Sequence, residues 1–271
     1  MKFFRSALYR VFTSKQYWIQ LGMAVLLSFF GIFLIKEMQD KMWILPREVL
    51  EVFRMGGNYN IGIVALPDLN VLSEPYCDAV IGGVFSGSVA QLLVVFAVVT
   101  FLCSELQNGY MHIAVMKGQA RYLICLQYMG IAFIMVLSFM LCYMAGALAA
   151  LLCNQMLVLK DPMTLCVILF TQMIMMGGIG ICAAALTVMI GSRDVKIIVM
   201  SLMLALPLAP NYLYILTQGK IQIEKWFLVS QLISLNNENG SGISWNLLLT
   251  LLTTGVFLVG ELCVFQTKKI D

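Results

Sequence analysis

The chain has 271 residues, 61% of them hydrophobic and only 11% charged, with a mean hydropathy of +0.91. Soluble domains average about 45–50% apolar and about 25% charged residues, so the composition excludes a soluble globule, a disordered chain and a small secreted domain. The net charge of +3 is too slight to point to a nucleic-acid partner, and the chain reads as an all-α polytopic membrane protein.

Residues 1–16 come first. Phe4, Ala7, Leu8 and Val11 recur at helical spacing, while Lys2, Arg5, Ser6, Tyr9 and Thr13 take the other face. This is the pattern of an amphipathic interfacial helix with its basic residues toward water and anionic lipid. A bilayer core takes roughly 20 apolar residues per helical span. Six stretches qualify, near 17–35, 79–103, 123–153, 163–190, 195–216 and 245–265. The segment 36–78 reads as a folded outer cap, with turn signals at Gly56-Gly57-Asn58 and Leu66-Pro67-Asp68 and a short helical run over 46–54. Gly83 and Gly87 form a GxxxG pair at the start of the second span, which permits close helix approach. Gly177, Gly178, Gly180 and Ala184 repeat the theme in the fourth, serving either packing within the chain or a dimer seam. Pro207 and Pro210 kink or end the fifth span. Residues 220–235 are too short and interrupted to cross and read as an outer re-entrant or interfacial helix.

An even number of spans puts both termini on one side. Lys2, Arg5, Arg10, Lys15, Lys117, Arg121, Arg193, Lys196, Lys268 and Lys269 fall on that side in short segments. Lys36, Lys41, Arg47, Arg54, Lys160, Lys220 and Lys225 are spread over longer segments opposite. The positive-inside rule then places both termini in the cytoplasm and 36–78 outside the cell. The first apolar stretch lacks a small-residue cleavage site and reads as a retained anchor. Of the eight cysteines, Cys103, Cys125, Cys142, Cys182 and Cys263 fall within or at the inner ends of spans, as small apolar residues. Cys153 and Cys166 flank the short loop between spans three and four, where a bridge stays open.

Catalytic and metal-binding constellations are not expected. His112 is the only histidine, and neither a His-Glu-x-x-His helix nor a Gly-x-Ser-x-Gly elbow occurs. The centres of spans one to five carry no Asp, Glu, Lys, Arg or His, whereas an ion-coupled carrier would need ionisable groups or broken helices at mid-depth. Glu261, near the inner end of the last span, reads as an interfacial carboxylate beside Lys268 and Lys269.

The segment 104–121 between spans two and three holds the most specific signal. Asn108-Gly109 is a turn signal, and the apolar run Tyr110-Met111-His112-Ile113-Ala114-Val115-Met116 precedes Lys117-Gly118. An apolar run in such a loop needs a cover, either lipid headgroups or another protein. Glu105 and Arg121 bracket it. This stretch resembles the type-2 permease family of ATP-binding cassette exporters. Its members typically have six spans, an amphipathic amino-terminal helix, and a loop of the form Phe-x-x-Glu-x-x-x-Gly followed by a helix and a Ser-Arg-like turn. Here Phe101-Leu102-Cys103-Ser104-Glu105-Leu106-Gln107-Asn108-Gly109 carries its Glu one residue later than that pattern, and Gly118-Gln119-Ala120-Arg121 stands at the turn. The ending 264–271 is similar to the family's Phe-x-x-basic-basic-Asp terminus, with its last two residues transposed.

The resemblance implies a single permease domain over 1–271, in a bacterial cell membrane, that binds no cofactor and is not itself an enzyme. ATP and Mg would be bound by cytoplasmic ATP-binding cassette ATPase subunits. In keeping with that, no Gly-x-x-x-x-Gly-Lys-Ser/Thr phosphate loop occurs in the chain. A second permease subunit, identical or homologous, and membrane lipid are the other implied partners. Gly109, Tyr110, Met111, His112, Ile113, Val115 and Met116 would form the ATPase-coupling helix, with Glu105 and Arg121 at its ends. Arg193, in the loop 191–196, would be either a second contact or part of a capped turn. Because spans two and five usually line the family's cavity, Ser86, Gln91, Ser201 and Asn211 are the expected polar lining. The expected activity is alternating-access export of a hydrophobic or amphipathic cargo such as a peptide, antibiotic or lipid-like molecule. Small permeases of bacteriocin or lantibiotic immunity share this size and pattern. The alternative is an ATP-independent secondary carrier or channel.

Overall fold

A computed structural model describes residues 2–42, 54–55, 58–60, 64–66, 77–155, 158–190, 198–199, 201, 228, 231–232, 235 and 243–267. Its elements are α1 (Lys2–Thr13), α2 (Lys15–Met42), the strands β1 (Arg54–Met55), β2 (Asn58–Asn60) and β3 (Ala65–Leu66), α3 (Asp78–Gly83), a 3-10 turn (Val84–Ser86), α4 (Ser88–Gln107), α5 (Tyr110–Met116), α6 (Arg121–Cys153), α7 (Pro162–Ile190) and α8 (Ile243–Thr267). Among the described residues, five stretches are long and apolar enough to cross a membrane: Lys15–Phe33 of α2, then α4, α6 and α7, and Ile243–Phe265 of α8. Apart from Ile198, Val199 and Ser201, the expected span at 195–216 lies outside the described residues.

The described residues are overwhelmingly helical, as an all-α membrane protein requires, and β1, β2 and β3 add a small antiparallel sheet with Arg54 opposite Tyr59 and Tyr59 opposite Leu66. Tyr59 of β2 is a favoured strand former. Most of the expected helical run at 46–54 lies outside the described residues, and Arg54 itself is in β1. One expectation is corrected: the stretch 79–103 is not one helix. Gly87 is extended (φ −67°, ψ 138°), so α3 and the 3-10 turn stop and α4 starts afresh at Ser88. The cause is β3. Val64, Ala65 and Leu66 are at most 1% exposed, and Gly83 lies against the Ala65 carbonyl so closely that a Cβ would collide with it. The small residue therefore admits a strand, where the sequence suggested another helix.

Elsewhere the small residues do admit helices. Gly146 of α6 faces the Val25 carbonyl and Ser28 of α2, and the Tyr17 hydroxyl bonds to that of Ser138 further along the same crossing. On α7, Gly177 faces Phe133, Gly180 faces Val136 and Val94, and Gly178 faces Thr250 and Thr254 of α8. The α7 glycines thus serve packing within the chain. These pairings also fix direction. The first contacts place α2 parallel to α6, and Met189 beside Gly260 together with Gly178 beside Thr250 places α7 parallel to α8.

One end of the bundle, here termed basal, gathers α1, the end of α4, α5, the start of α6 and the end of α8. The Arg121 Nη1 donates to the Phe265 carbonyl at 3.1 Å, joining the last two. A guanidinium on a helix's final carbonyls is favoured by both hydrogen bonding and the helix dipole. At the opposite, distal end the Asp78 carboxylate accepts from the backbone N–H groups of Lys160 (2.8 Å) and Asp161 (3.1 Å). Asp161 in turn caps α7, accepting from the Thr164 hydroxyl at 2.6 Å and its N–H at 3.3 Å, and these bonds hold its carboxyl below the usual aspartate range. Cys153 and Cys166 are not bridged.

Candidate functional site

The basal end is built around α5. Gly109 (φ +68°) ends α4 and opens α5, its N–H donating to the Leu106 carbonyl at 3.2 Å. Gly118 (φ +78°) closes α5 at the other end, where its N–H donates to Val115 (2.9 Å) and that of Gln119 to Ala114 (3.2 Å). That pair of bonds is the Schellman motif, which needs a residue in the left-handed region and so favours glycine. Two such glycines set the length of a seven-residue helix. Within it the apolar residues divide at helical spacing. Met111 and Ala114 are 3% and 2% exposed, while Ile113 and Met116 are 40% and 78% exposed. Tyr110, His112 and Val115 are half-buried. Of the seven expected coupling residues, Met111 therefore faces the bundle, and Ile113 and Met116 form the outward apolar surface.

Glu105 lies one turn before Gly109, and its side chain is only 3% exposed. Arg10 of α1 meets it as a fork, Nε donating to Oε1 at 2.8 Å and Nη2 to Oε2 at 2.6 Å. The Tyr128 hydroxyl of α6 donates to Oε2 at 2.8 Å, and Arg10 Nη1 donates to the Ser6 hydroxyl at 2.8 Å. The guanidinium also stacks over the Tyr110 ring, 4.2 Å from its centroid. A buried carboxylate is tolerated only when paired and hydrogen-bonded, and a bidentate guanidinium is the strongest partner available. Glu105 in turn raises the guanidinium's proton affinity further. The result is one junction that ties α1, α4, α5 and α6 together. Arg10 and Tyr128 were not among the residues expected from sequence. The available signal was that Glu105 is the only acid between Asp78 and Asp161, and that Arg10 borders the buried stripe of Ala7 and Val11.

Between α1, α2, α4, α5 and α6 lies a cavity of about 140 Å³. Arg10, Ser14, Gln16, Tyr17, Gln20, Thr100, Phe101, Ser104, Glu105, Asn108 and Tyr110 line it, with Ala97 and Met135. Ser86 and Gln91, two of the residues expected to line a central cavity, are not among its lining. They are 0% and 5% exposed and sit in a distal polar cluster. There Gln172 Nε2 donates to the Gly82 carbonyl (2.5 Å) and the Ser86 hydroxyl (2.9 Å), and Gln91 Nε2 donates to the Ser86 carbonyl (3.3 Å). Ser201 is exposed, and Asn211 and Arg193 lie outside the described residues. Glu261 also departs from expectation. It is 1% exposed, its Oε2 has no hydrogen-bond partner, and the Cys125 thiol is beside it. The packing of α8 against α7 and α6 takes it into the bundle and away from an aqueous interface. Lys268 and Lys269 lie outside the described residues.

No protein-family model, curated protein or solved structure matches the chain.

Proposed function

We propose that this chain is the membrane subunit of an ATP-binding cassette exporter, moving a hydrophobic or amphipathic cargo by alternating access while separate subunits hydrolyse ATP. The observation that carries the reading is α5, a short helix held between two left-handed glycines with Ile113 and Met116 facing outward. Such a knob, bound on its other side to α1, α4 and α6, suits a groove on a moving partner. ATP-driven closure of two ATPase subunits would displace α5, and the Arg10–Glu105–Tyr128 junction would pass that displacement to α1, α4 and α6. The ATPases shift the permease between its inward-open and outward-open states only through their different affinity for the two. Membrane topology fits as well. Because α7 and α8 run parallel, the chain between them must return across the bundle, and the apolar stretch 195–216 is long enough for a sixth span. The positive-inside count then puts the basal end in the cytoplasm.

An ATP-independent carrier has one observation in its favour, the buried Glu261 carboxylate. A lone carboxylate within two turns of the basal end is a weak basis for an ion pathway. The deciding experiment is purification from the native membrane in mild detergent, beside a variant with Ile113→Asp and Met116→Asp. An ATPase bearing a phosphate loop is expected with the wild type and lost from the variant. Its absence from both samples would remove the exporter reading and favour the carrier.

A further inference from the structure

We propose that the cavity under the α1–α2 corner is a phosphate site that takes the headgroup phosphodiester of a membrane phospholipid. The inference rests on the bundle's being embedded in a membrane and is independent of any ATPase. Four observations meet there. First, Gln20 and Thr100 both line the cavity and are each 6% exposed, yet Gln20 Nε2 and the Thr100 hydroxyl have no hydrogen-bond partner in the protein. Buried polar groups are nearly always satisfied, so each orphan implies a bound group or water. Second, α2 begins at Lys15, and Ser14, Gln16 and Tyr17 at its first turn line the same space. The opening N–H groups of a 28-residue helix present partial positive charge and free donors to an anion. Third, Arg10 uses one N–H each at Nε, Nη1 and Nη2 on Glu105 and Ser6, which leaves two of a guanidinium's five donors. Fourth, the one acid in the lining, Glu105, already accepts from Arg10 twice and from Tyr128. The orphaned Gln20 and Thr100 donors, the spare Arg10 donors and the start of α2 give the cavity unmet donor capacity, which an oxygen-rich anion satisfies.

The apolar surroundings choose the source of the phosphate. Trp18 and Ile19 follow directly along α2, 57% and 63% exposed, with Met23 beyond them at 49%. Acyl chains would lie along that face while the phosphate enters the corner, where an interfacial helix gives way to a span. A volume of about 140 Å³ is several times a water's share of liquid volume, about 30 Å³.

The test is native mass spectrometry of the delipidated, full-length protein in detergent, with Gln20→Leu/Thr100→Val as the variant. Thr100→Val alone, isosteric with the native residue, is a second variant, and circular dichroism verifies the fold of each. Three probes are offered: dioleoylphosphatidylglycerol, dioleoylglycerol and inorganic phosphate. One phosphatidylglycerol per chain is expected on the wild type, binding at least tenfold more weakly to the double variant and severalfold more weakly to Thr100→Val. Dioleoylglycerol should not be retained, and inorganic phosphate should compete with the lipid. Retention of the lipid equally by wild type and variants, or of dioleoylglycerol as well as the phospholipid, overturns the site. Binding of inorganic phosphate without the lipid overturns the phospholipid as its occupant. ATPase co-purification is read separately, so that the failure of either proposal is distinguishable from that of the other.

Discussion

At the residue scale the decisive feature is a carboxylate that has lost its water. Glu105 is almost wholly covered, whereas Arg10 keeps 22% of its side chain exposed, so the pair lies between a surface ion pair, worth about 0–1 kcal/mol, and a buried one, whose disruption costs about 3–5 kcal/mol. We expect Arg10→Leu to destabilise by about 2–3 kcal/mol on that basis, discounted for the exposed arginine. Arg10→Leu combined with Glu105→Gln should cost less than the sum of the singles, because the amide needs no counter-charge. Thermal denaturation in detergent measures this cycle, and strict additivity would show that the two side chains do not act as a pair. The junction was half legible in the sequence. Glu105 stood out as a lone acid at the end of an apolar span, but nothing local identified its partner 95 residues earlier. Arg10 looks like any headgroup-facing base until α1 is laid against α6. Periodicity gives the face of a helix and does not give the element that will cover it.

At the scale of elements, the long helices were readable because hydrophobic length is a strong and local signal. The break before α4 was not, because it comes from β3, a strand of two residues inserted against Gly83. Glycine in a sequence announces close approach but not what approaches. The glycines therefore make different predictions. At Gly109 and Gly118 nothing lies within 4 Å of an added Cβ, so alanine pays only for the left-handed backbone, about 1–2 kcal/mol each. At Gly146 the added carbon meets the α2 backbone, and alanine should add an overpacking cost of about 1–3 kcal/mol while leaving α5 intact. Melting temperatures and ATPase co-purification separate these cases. Gly118→Ala should weaken co-purification more than its stability loss accounts for, whereas Gly146→Ala should lower stability alone. The cap of α7 offers a pH test. Asp161 has a folded pKa below its unfolded value, so its contribution is complete above the unfolded value, about 3.9, and is lost as pH falls through the folded one. Asp161→Ala should lower the melting temperature at pH 7, and the gap between variant and wild type should close as the pH drops through and below about 4. A gap that persists unchanged there would mean that the carboxylate's charge is not what caps the helix.

At the scale of the whole molecule, direction and charge make one argument. The parallel pairs α2 with α6 and α7 with α8 are set by side-chain contacts, whereas the inside of the membrane is set by where Lys and Arg fall, and the two are independent. They agree in placing Arg10, Lys117 and Arg121 at one end of the bundle, where α1 and α5 also lie. The opposite end should then face the outside of the cell, and its cysteines report on it. Cys153 ends α6 and is exposed, while Cys77 is 1% exposed, with burial pushing its thiol up and its sulfur directed at the Val158 carbonyl. Reaction with a maleimide requires both access and the thiolate. In intact cells a membrane-impermeant maleimide should therefore modify Cys153 and leave Cys77 untouched, as read by peptide mass. A tag on the amino terminus should stay protected from external protease in the same cells. Labelling of Cys153 only after permeabilisation, with the tag exposed beforehand, would invert the orientation. It would place α5 outside the cell, where no cytoplasmic ATPase could reach it.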